Sequence, residues 1–439
     1  MSRVLVLGAG MVARPLVEYL LNQEYDVTVA TRTVAKAEAL IGDSPRGTSL
    51  PLLMDDAEGL RTQIRAADVV LSLVPPPFHP TVAGICLEEG RHLITTSYIS
   101  PAMRALDARA RERGLLFLNE IGLDPGIDHM SAMRIIDDVH GRGGKVIGFT
   151  SCCGALPAPE SATNPWRYKF SWSPIGVIRA IHNHGRFLRD SKPVDVPEAE
   201  LFQYVQHADV AGVGRLEIYT NRDCLDYVDL YGVPEVRHMF RGTFRYESHC
   251  AAWDKLVHLG VFDEEQQHEF AGKSLRQALA DVVGVEAGSL EGWLQERYGV
   301  AADDPFMERL RYVGMFSDEP CPLERGSICE VMVHQLEKLL TPGPLERDMV
   351  VLRDEFDCEF PDGTRERHVS QLLDFGIPGG DSATARTVSL PAAVATRMLL
   401  DGAIDVRGVQ APTVPGIYGP VLDGLAELDI ECVETMEKL

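Results

Sequence analysis

A glycine-rich turn near the start of the chain joins an apolar run to a helical segment. Gly8-Ala9-Gly10-Met11-Val12-Ala13 follows the apolar run 4–7 and opens a segment of helical periodicity over 12–21. A GxGxxA sequence between a strand and a helix serves one geometry. The first glycine takes the tight turn, the second lets a pyrophosphate approach the backbone, and a small third residue lets helix and strand pack closely. The phosphate then sits on the helix N-terminus, where free N–H groups and the dipole favour an anion. Further strands are expected at 27–30, at 69–74 before Pro75-Pro76-Pro77, at 92–96 and at 115–118, with an amphipathic helix over 101–112. Strands separated by helices imply βαβ units and a parallel sheet, which binds ligands at the carboxyl ends of its strands.

The choice of dinucleotide depends on the end of the second strand. An acidic residue there holds a ribose 2′-hydroxyl, whereas an Arg holds a 2′-phosphate. Here the strand ends in Ala30-Thr31-Arg32-Thr33, with Lys36 a helical turn beyond, and Asp26 stands before the strand. That corner favours NADP over NAD; the bland alternative is that Arg32 is only a solvated surface charge.

Beyond Asn119 the texture changes, and Gly, Pro and aromatic residues cluster over 122–176, with a turn-rich loop expected at 151–160. Strands are expected at 213–219 and 240–246, in a second, antiparallel or mixed sheet. A helical subdomain is expected over about 263–312 and a helix over 328–340. A hairpin is expected at 349–372 around Pro361-Asp362-Gly363, with helices at 391–400 and 416–428. The expected organisation is a dinucleotide-binding Rossmann domain over 1–120, a catalytic α+β domain over 121–390 with a helical insertion near 260–315, and C-terminal helices over 391–439 that return to the first domain.

Composition excludes several roles. The 439 residues hold 42 Lys and Arg against 65 Asp and Glu, a formal net charge of −23. A chain this acidic repels phosphate backbones and anionic lipid, so neither nucleic acid nor membrane is an expected partner. No stretch approaches the ~18 apolar residues of a membrane span. The short run after Met1 does not read as a signal peptide. The nine cysteines are scattered, without paired CxxC motifs, so no metal site is expected and free thiols in the cytoplasm are the simplest reading.

Candidate chemistry follows two of the strands. Ser97-Tyr98 comes after one, and Asn119-Glu120-Ile121-Gly122-Leu123-Asp124-Pro125-Gly126-Ile127-Asp128-His129 after the next. Taken alone, Asp124 in Asp-Pro-Gly reads as a turn carboxylate, and His129 as a capping or core residue. Cys152-Cys153, Lys169 among aromatics with Trp172, Asn221-Arg222-Asp223 and Arg241-Gly242-Thr243-Phe244-Arg245-Tyr246 supply further polar groups, guanidinium and hydroxyl among them. With these on view the sequence resembles the saccharopine dehydrogenase family of the glutamate-forming type, also called saccharopine reductases. The resemblance is carried by GAGMVARPLVEYL, VTVATRT, SLVPPPFHP, TSYISPAM, NEIGLDPGIDHM, CGALPAPE, NPWRYKFSWSP, YTNRDCL, RGTFRY, CEVMV, ERDMVVL and RGVQAP, which cover most of the chain.

The resemblance implies a reversible, NADP-dependent reaction. Saccharopine and water give glutamate and 2-aminoadipate 6-semialdehyde, through an imine and a hydride transfer to the nicotinamide. It implies cofactor contacts at Gly8, Gly10, Met11, Val12, Thr31, Arg32, Thr33, Leu73, Val74, Pro75, Asp124, Pro125, Gly126 and Trp172. It implies substrate contacts at Ser97, Tyr98, Asp124, Arg222 and Thr243, with proton handling by Tyr98, Asp124 and Cys153. Cys152 departs from the family's aromatic, and Cys153 is taken as the site thiol because it precedes Gly154. A homodimer is the default assembly. Two rivals remain: a reductase of another amino-acid or polyamine adduct, such as carboxynorspermidine, and a silent dinucleotide-binding regulatory protein. A polyamine would want acidic groups where Arg222 stands, and a silent relative would have lost the polar residues.

Overall fold

The computed structural model describes residues 2–439 and divides into two compact units. One takes the chain up to Ser151, Tyr227–Val236 and Val350–Leu439; the other takes Cys152–Asp226 and Arg237–Met349. In the first unit β1 (Arg3–Leu7), α1 (Ala13–Asn22), β2 (Asp26–Thr31), α2 (Val34–Ile41), β3 (Gly47–Pro51), α3 (Ala57–Ala66), β4 (Val69–Ser72), α4 (His79–Glu89), β5 (His92–Thr95), α5 (Pro101–Arg104), α6 (Asp107–Glu112) and β6 (Leu116–Leu118) follow in turn. The sheet is parallel, with spatial order β6-β5-β4-β1-β2-β3 and the strand Gly408–Gln410 added beside β6. The order reverses at β1, so the topological switch point, where such sheets bind ligands, lies at the carboxyl end of β1, beside Gly8. Val4–Leu7 and all of β4 are buried, which is why these strands read as unbroken apolar runs rather than alternating ones.

The expected return of the C-terminal segment is present, and it contributes a strand as well as helices. The helix Ala383–Leu400 packs on α1. It starts eight residues before the expected position, capped by Ser382 Oγ, which accepts from Ala385 N. Pro391 inside it removes one backbone donor, a cost of about 3 kcal/mol in an isolated helix. Here 14 of the 18 residues of the helix are buried, and that packing outweighs the break. Strand β3 at 47–51 was not foreseen: its Gly and Pro ends and half-exposed residues carry no alternation.

The first unit continues through α7 (Ile127–Gly141), and β7 (Lys145–Pro157) begins there. The expected hairpin forms between strands Asp348–Glu359 and Arg365–Phe375. Its turn is closed by Phe360 N to Thr364 O at 2.9 Å, with Gly363 at φ +86°. The terminal strand Val433–Lys438 pairs antiparallel with the second hairpin strand. All of its residues are exposed, so it left no hydrophobic pattern in the sequence.

In the second unit, strands Val205–Val210, Gly214–Thr220 and His238–Tyr246 form an antiparallel ladder, joined by the hairpin Gly185–Arg189 and Lys192–Val196. The stretch expected to be helical over about 263–312 holds three helices, Leu275–Val283, Leu290–Tyr298 and Pro305–Tyr312, but its start is not helical: Gln267–Glu269 is a strand paired with Arg325–Ser327. Gly284 and Gly299 end the first two in the left-handed conformation that suits glycine at a helix C-terminus. The loop expected over 151–160 needs correction: Ser151–Pro157 are strand, the end of β7. Small residues are required there because a Cβ at Gly154 would lie 2.7 Å from Phe244 Cβ. Loop-like composition thus reflects close packing between strands.

Candidate active site

The turn after β1 has the geometry its sequence implies. Gly8 sits at φ +106°, a conformation that L side chains rarely adopt, and a Cβ there would lie 3.0 Å from Leu73 O. Gly8 N donates to Ala30 O at 2.9 Å, and Leu73 N donates to Leu7 O at 2.9 Å. A Cβ on Gly10 would meet nothing within 4 Å: the space above this glycine is open, as the approach of a pyrophosphate requires. Val12 caps α1 without a side-chain hydrogen bond, and no acidic residue stands in its first turn, so its donors and dipole are left to an anion. Met11 is 56% exposed at the rim. Thr31 is half-buried at the end of β2, while Arg32 and Thr33 are exposed. Among the described residues Arg32 pairs with no carboxylate. Leu73 and Val74 lead out of β4, and Pro75 is exposed. These residues fit a phosphorylated dinucleotide.

On the same sheet edge Tyr98 OH donates to Asp124 Oδ1 at 3.1 Å. Asp124 stands in a tight loop in which a Cβ on Gly126 (φ +148°) would lie 2.0 Å from Gly122 O. The turn carboxylate is Asp128, whose Oδ1 accepts from Gly126 N at 2.5 Å and from His129 N at 2.8 Å. The Asp124–Pro125 peptide is cis. His129 is fully buried, 2.8 Å from both Glu120 Oε2 and Tyr231 OH, a core role.

The second unit holds the other candidates. A Cβ on Gly242 would lie 3.0 Å from Cys152 Sγ, and Gly154 abuts Phe244. Side chains alternate along strands, so Cys153 lies on the opposite face from Cys152, the face of Thr243 and Arg245. Arg245 belongs to the segment Arg241–Tyr246 that supplies guanidinium and hydroxyl groups, and its place two residues after Thr243 on the strand His238–Tyr246 puts it on the same face. It is buried between the Tyr168 and Tyr219 rings, its guanidinium carbon 5.3 and 5.6 Å from their centroids. Arg222 is exposed at φ +56° just after the strand Gly214–Thr220, and its carbonyl accepts from Arg186 N at 3.1 Å. Trp172 packs on Gly176, where a Cβ would lie 2.7 Å from the indole. Lys169 is taken up by an ion pair with Glu346, whose pKa that pairing lowers.

A residue outside the expected set joins the edge of the first sheet. His79, at the start of α4, is 3% exposed. Its Nδ1 lies 2.9 Å from Ser72 Oγ, and its Nε2 lies 2.9 Å from Ser97 Oγ and 3.3 Å from Thr95 Oγ1. Burial pushes its pKa down to about 4. A lone histidine after three prolines carries no spacing signature, so only the fold shows this contact.

Comparison with known proteins decides the family. The sequence matches the family model described as saccharopine dehydrogenase NADP binding domain over residues 4–118, and the saccharopine dehydrogenase C-terminal domain over residues 122–430. This chain belongs to the saccharopine dehydrogenase family. It is 36% identical over 445 residues to a saccharopine dehydrogenase [NADP(+), L-glutamate-forming] of Schizosaccharomyces pombe, covering 99% of each. It is 38% identical to the Saccharomyces cerevisiae protein of that name, covering 97% of each. The structure of the apo saccharopine dehydrogenase (L-Glu forming) from Saccharomyces cerevisiae superimposes over 100% of both chains with a TM-score of 0.91 and 36% identity. No helix is long and apolar enough to cross a membrane among the described residues.

Proposed function

We propose that this chain is an NADP-dependent oxidoreductase acting on a CH–NH bond. It interconverts saccharopine and water with glutamate and 2-aminoadipate 6-semialdehyde, in lysine metabolism. The observation that carries this reading is the Tyr98–Asp124 hydrogen bond on the ligand edge of a sheet whose turn at Gly8 and Gly10 is open to a pyrophosphate. Gly8, Gly10, Met11 and Val12 hold the pyrophosphate, and Thr31, Arg32 and Thr33 the 2′-phosphate. Leu73, Val74, Pro75, Asp124, Pro125, Gly126 and Trp172 line the remainder of the cofactor. Bound NADPH supplies the hydride that reduces the imine formed from the amine of glutamate and the aldehyde.

The residues then bind, orient and move protons. Arg222 clamps a substrate carboxylate, since a planar guanidinium matches a carboxylate with two parallel hydrogen bonds; Thr243 and Ser97 add further bonds. Imine formation expels water and needs a proton moved at the carbinolamine, and the reverse reaction needs a neutral secondary amine. Tyr98 and Asp124, as a hydrogen-bonded pair, and Cys153 handle those protons, which calls for groups within hydrogen-bond reach. The domains follow: 1–120 for the dinucleotide, 121–390 for substrate and catalysis, and 391–439 returning to the first. The working form is a cytoplasmic homodimer. The test is a mutation series read as pH–rate profiles. Asp124→Asn and Cys153→Ser should each cost about 10²–10⁴ in rate if they are general acid–base groups. Losses of only a few-fold would leave positioning and a bound water to carry the chemistry.

A further inference from the structure

His79 joins two parts of the ligand edge that the sequence keeps apart. Ser72 is the last residue of β4, and the loop 73–78 that follows it carries Leu73, Val74 and Pro75. Thr95 is the last residue of β5, and Ser97-Tyr98 follows it. One imidazole reaches both strand ends: Nδ1 meets Ser72 Oγ at 2.9 Å and Nε2 meets Ser97 Oγ at 2.9 Å. Thr95 Oγ1 lies 3.3 Å from the same Nε2 and accepts from Ser97 N at 3.3 Å. Ser72, His79 and Thr95 are all buried and Ser97 is half-buried, so hydroxyl groups are the partners of both ring nitrogens.

We propose that His79 is a positioning residue with two separate tasks, one per ring nitrogen: Nδ1 anchors the loop that lines the cofactor, and Nε2 orients the Ser97 hydroxyl towards the substrate. The proposal builds on the assignment of Ser97 and of loop 73–78 under the proposed function. The imidazole carries two nitrogens on opposite sides of a rigid ring, and so reaches the two sites at once. With burial keeping it neutral at physiological pH, one nitrogen donates and the other accepts. The line of hydroxyl, imidazole and hydroxyl is then fully satisfied without any charge beside the cofactor.

Two amide substitutions separate the two tasks. The side-chain amide of Asn stands where Nδ1 stands, and that of Gln reaches where Nε2 stands. His79→Asn therefore keeps the Ser72 contact and loses Ser97. It should lower kcat about tenfold, the worth of one buried hydrogen bond, and leave the NADPH dissociation constant, read by fluorescence quenching, unchanged. His79→Gln keeps Ser97 and loses Ser72. It should weaken NADPH binding about threefold to tenfold and restore most of the kcat that the Asn variant loses. Ser97→Ala removes the hydroxyl itself and should lose at least as much kcat as His79→Asn, and the double variant should be no worse than Ser97→Ala, because His79 acts on the substrate only through that hydroxyl.

Equal losses in both His79 variants, or a double variant whose losses multiply, would overturn the proposal in favour of a purely structural role. Loss in His79→Asn beside an unaffected Ser97→Ala would overturn the route through Ser97. If the wild-type protein fails to turn these substrates over, the proposed function fails. The binding arm needs no turnover, and the Asn–Gln difference in NADPH affinity still decides the Nδ1 task. If one variant does not fold, the other keeps its own arm decisive.

Discussion

Acid should destabilise this protein through His79 by an amount that the structure sets. The ring is buried among hydroxyls, and burial is the one resolved cause that moves its pKa from 6.5 to about 4. In the unfolded chain the group titrates normally. Between the two values the unfolded state binds the extra proton, so stability rises with pH across about 4 to 6.5 and is lost on acidification. A gap of about 2.5 units at 1.36 kcal/mol each corresponds to about 3 kcal/mol once the pH reaches the folded value, and to about 2 kcal/mol near pH 5. The assay is urea unfolding of wild type and His79→Gln at a series of pH values. Other titrating groups are shared by the two proteins and cancel in the difference. The wild-type advantage should shrink by about 2 kcal/mol between neutral pH and about pH 5. Parallel stability curves for the two proteins would mean that the imidazole titrates alike in both states and that burial does not lower its pKa.

Other expectations concern single residues. Arg32→Ala should weaken NADPH binding by about tenfold or more while changing NADH binding little, since only the 2′-phosphate calls on that guanidinium; equal loss for both nucleotides would remove Arg32 from the corner. Arg222→Ala should raise the substrate KM strongly and leave the NADPH dissociation constant nearly unchanged, measured by steady-state kinetics and fluorescence titration. Loss of both together would make Arg222 structural. Gly126→Ala places a methyl 2.0 Å from Gly122 O at φ +148° and should cost about 2–3 kcal/mol in denaturant unfolding. A neutral result would show that the loop holding Asp124 can open.

What could be read from the sequence was what is local. The turn at Gly8–Ala13 and the corner at Thr31–Thr33 each use neighbours along the chain, so residue type and spacing reveal them. The hairpin at Pro361-Asp362-Gly363 is equally local. The strand end at Cys152–Pro157 was hidden because Gly154 and Gly242 are small for contacts across strands, and composition alone makes such a segment look like a loop. The terminal strand Val433–Lys438 was hidden because all its residues are exposed. Two carboxylates four residues apart, Asp124 and Asp128, look alike in sequence. The fold assigns the turn to Asp128 and gives Asp124 the Tyr98 hydroxyl. The contacts of His79 with Ser72 and Ser97 and the pairing of Arg245 with two tyrosine rings depend on strand order, to which no local pattern points.

The saccharopine dehydrogenase reading stands or falls on NADPH oxidation followed with glutamate and 2-aminoadipate 6-semialdehyde, each also omitted in turn, with NADH in parallel. Turnover should require both substrates and prefer NADPH. Tight NADPH binding with no turnover on this pair would contradict that reading and point to a different amine–aldehyde adduct or to a silent nucleotide-binding protein.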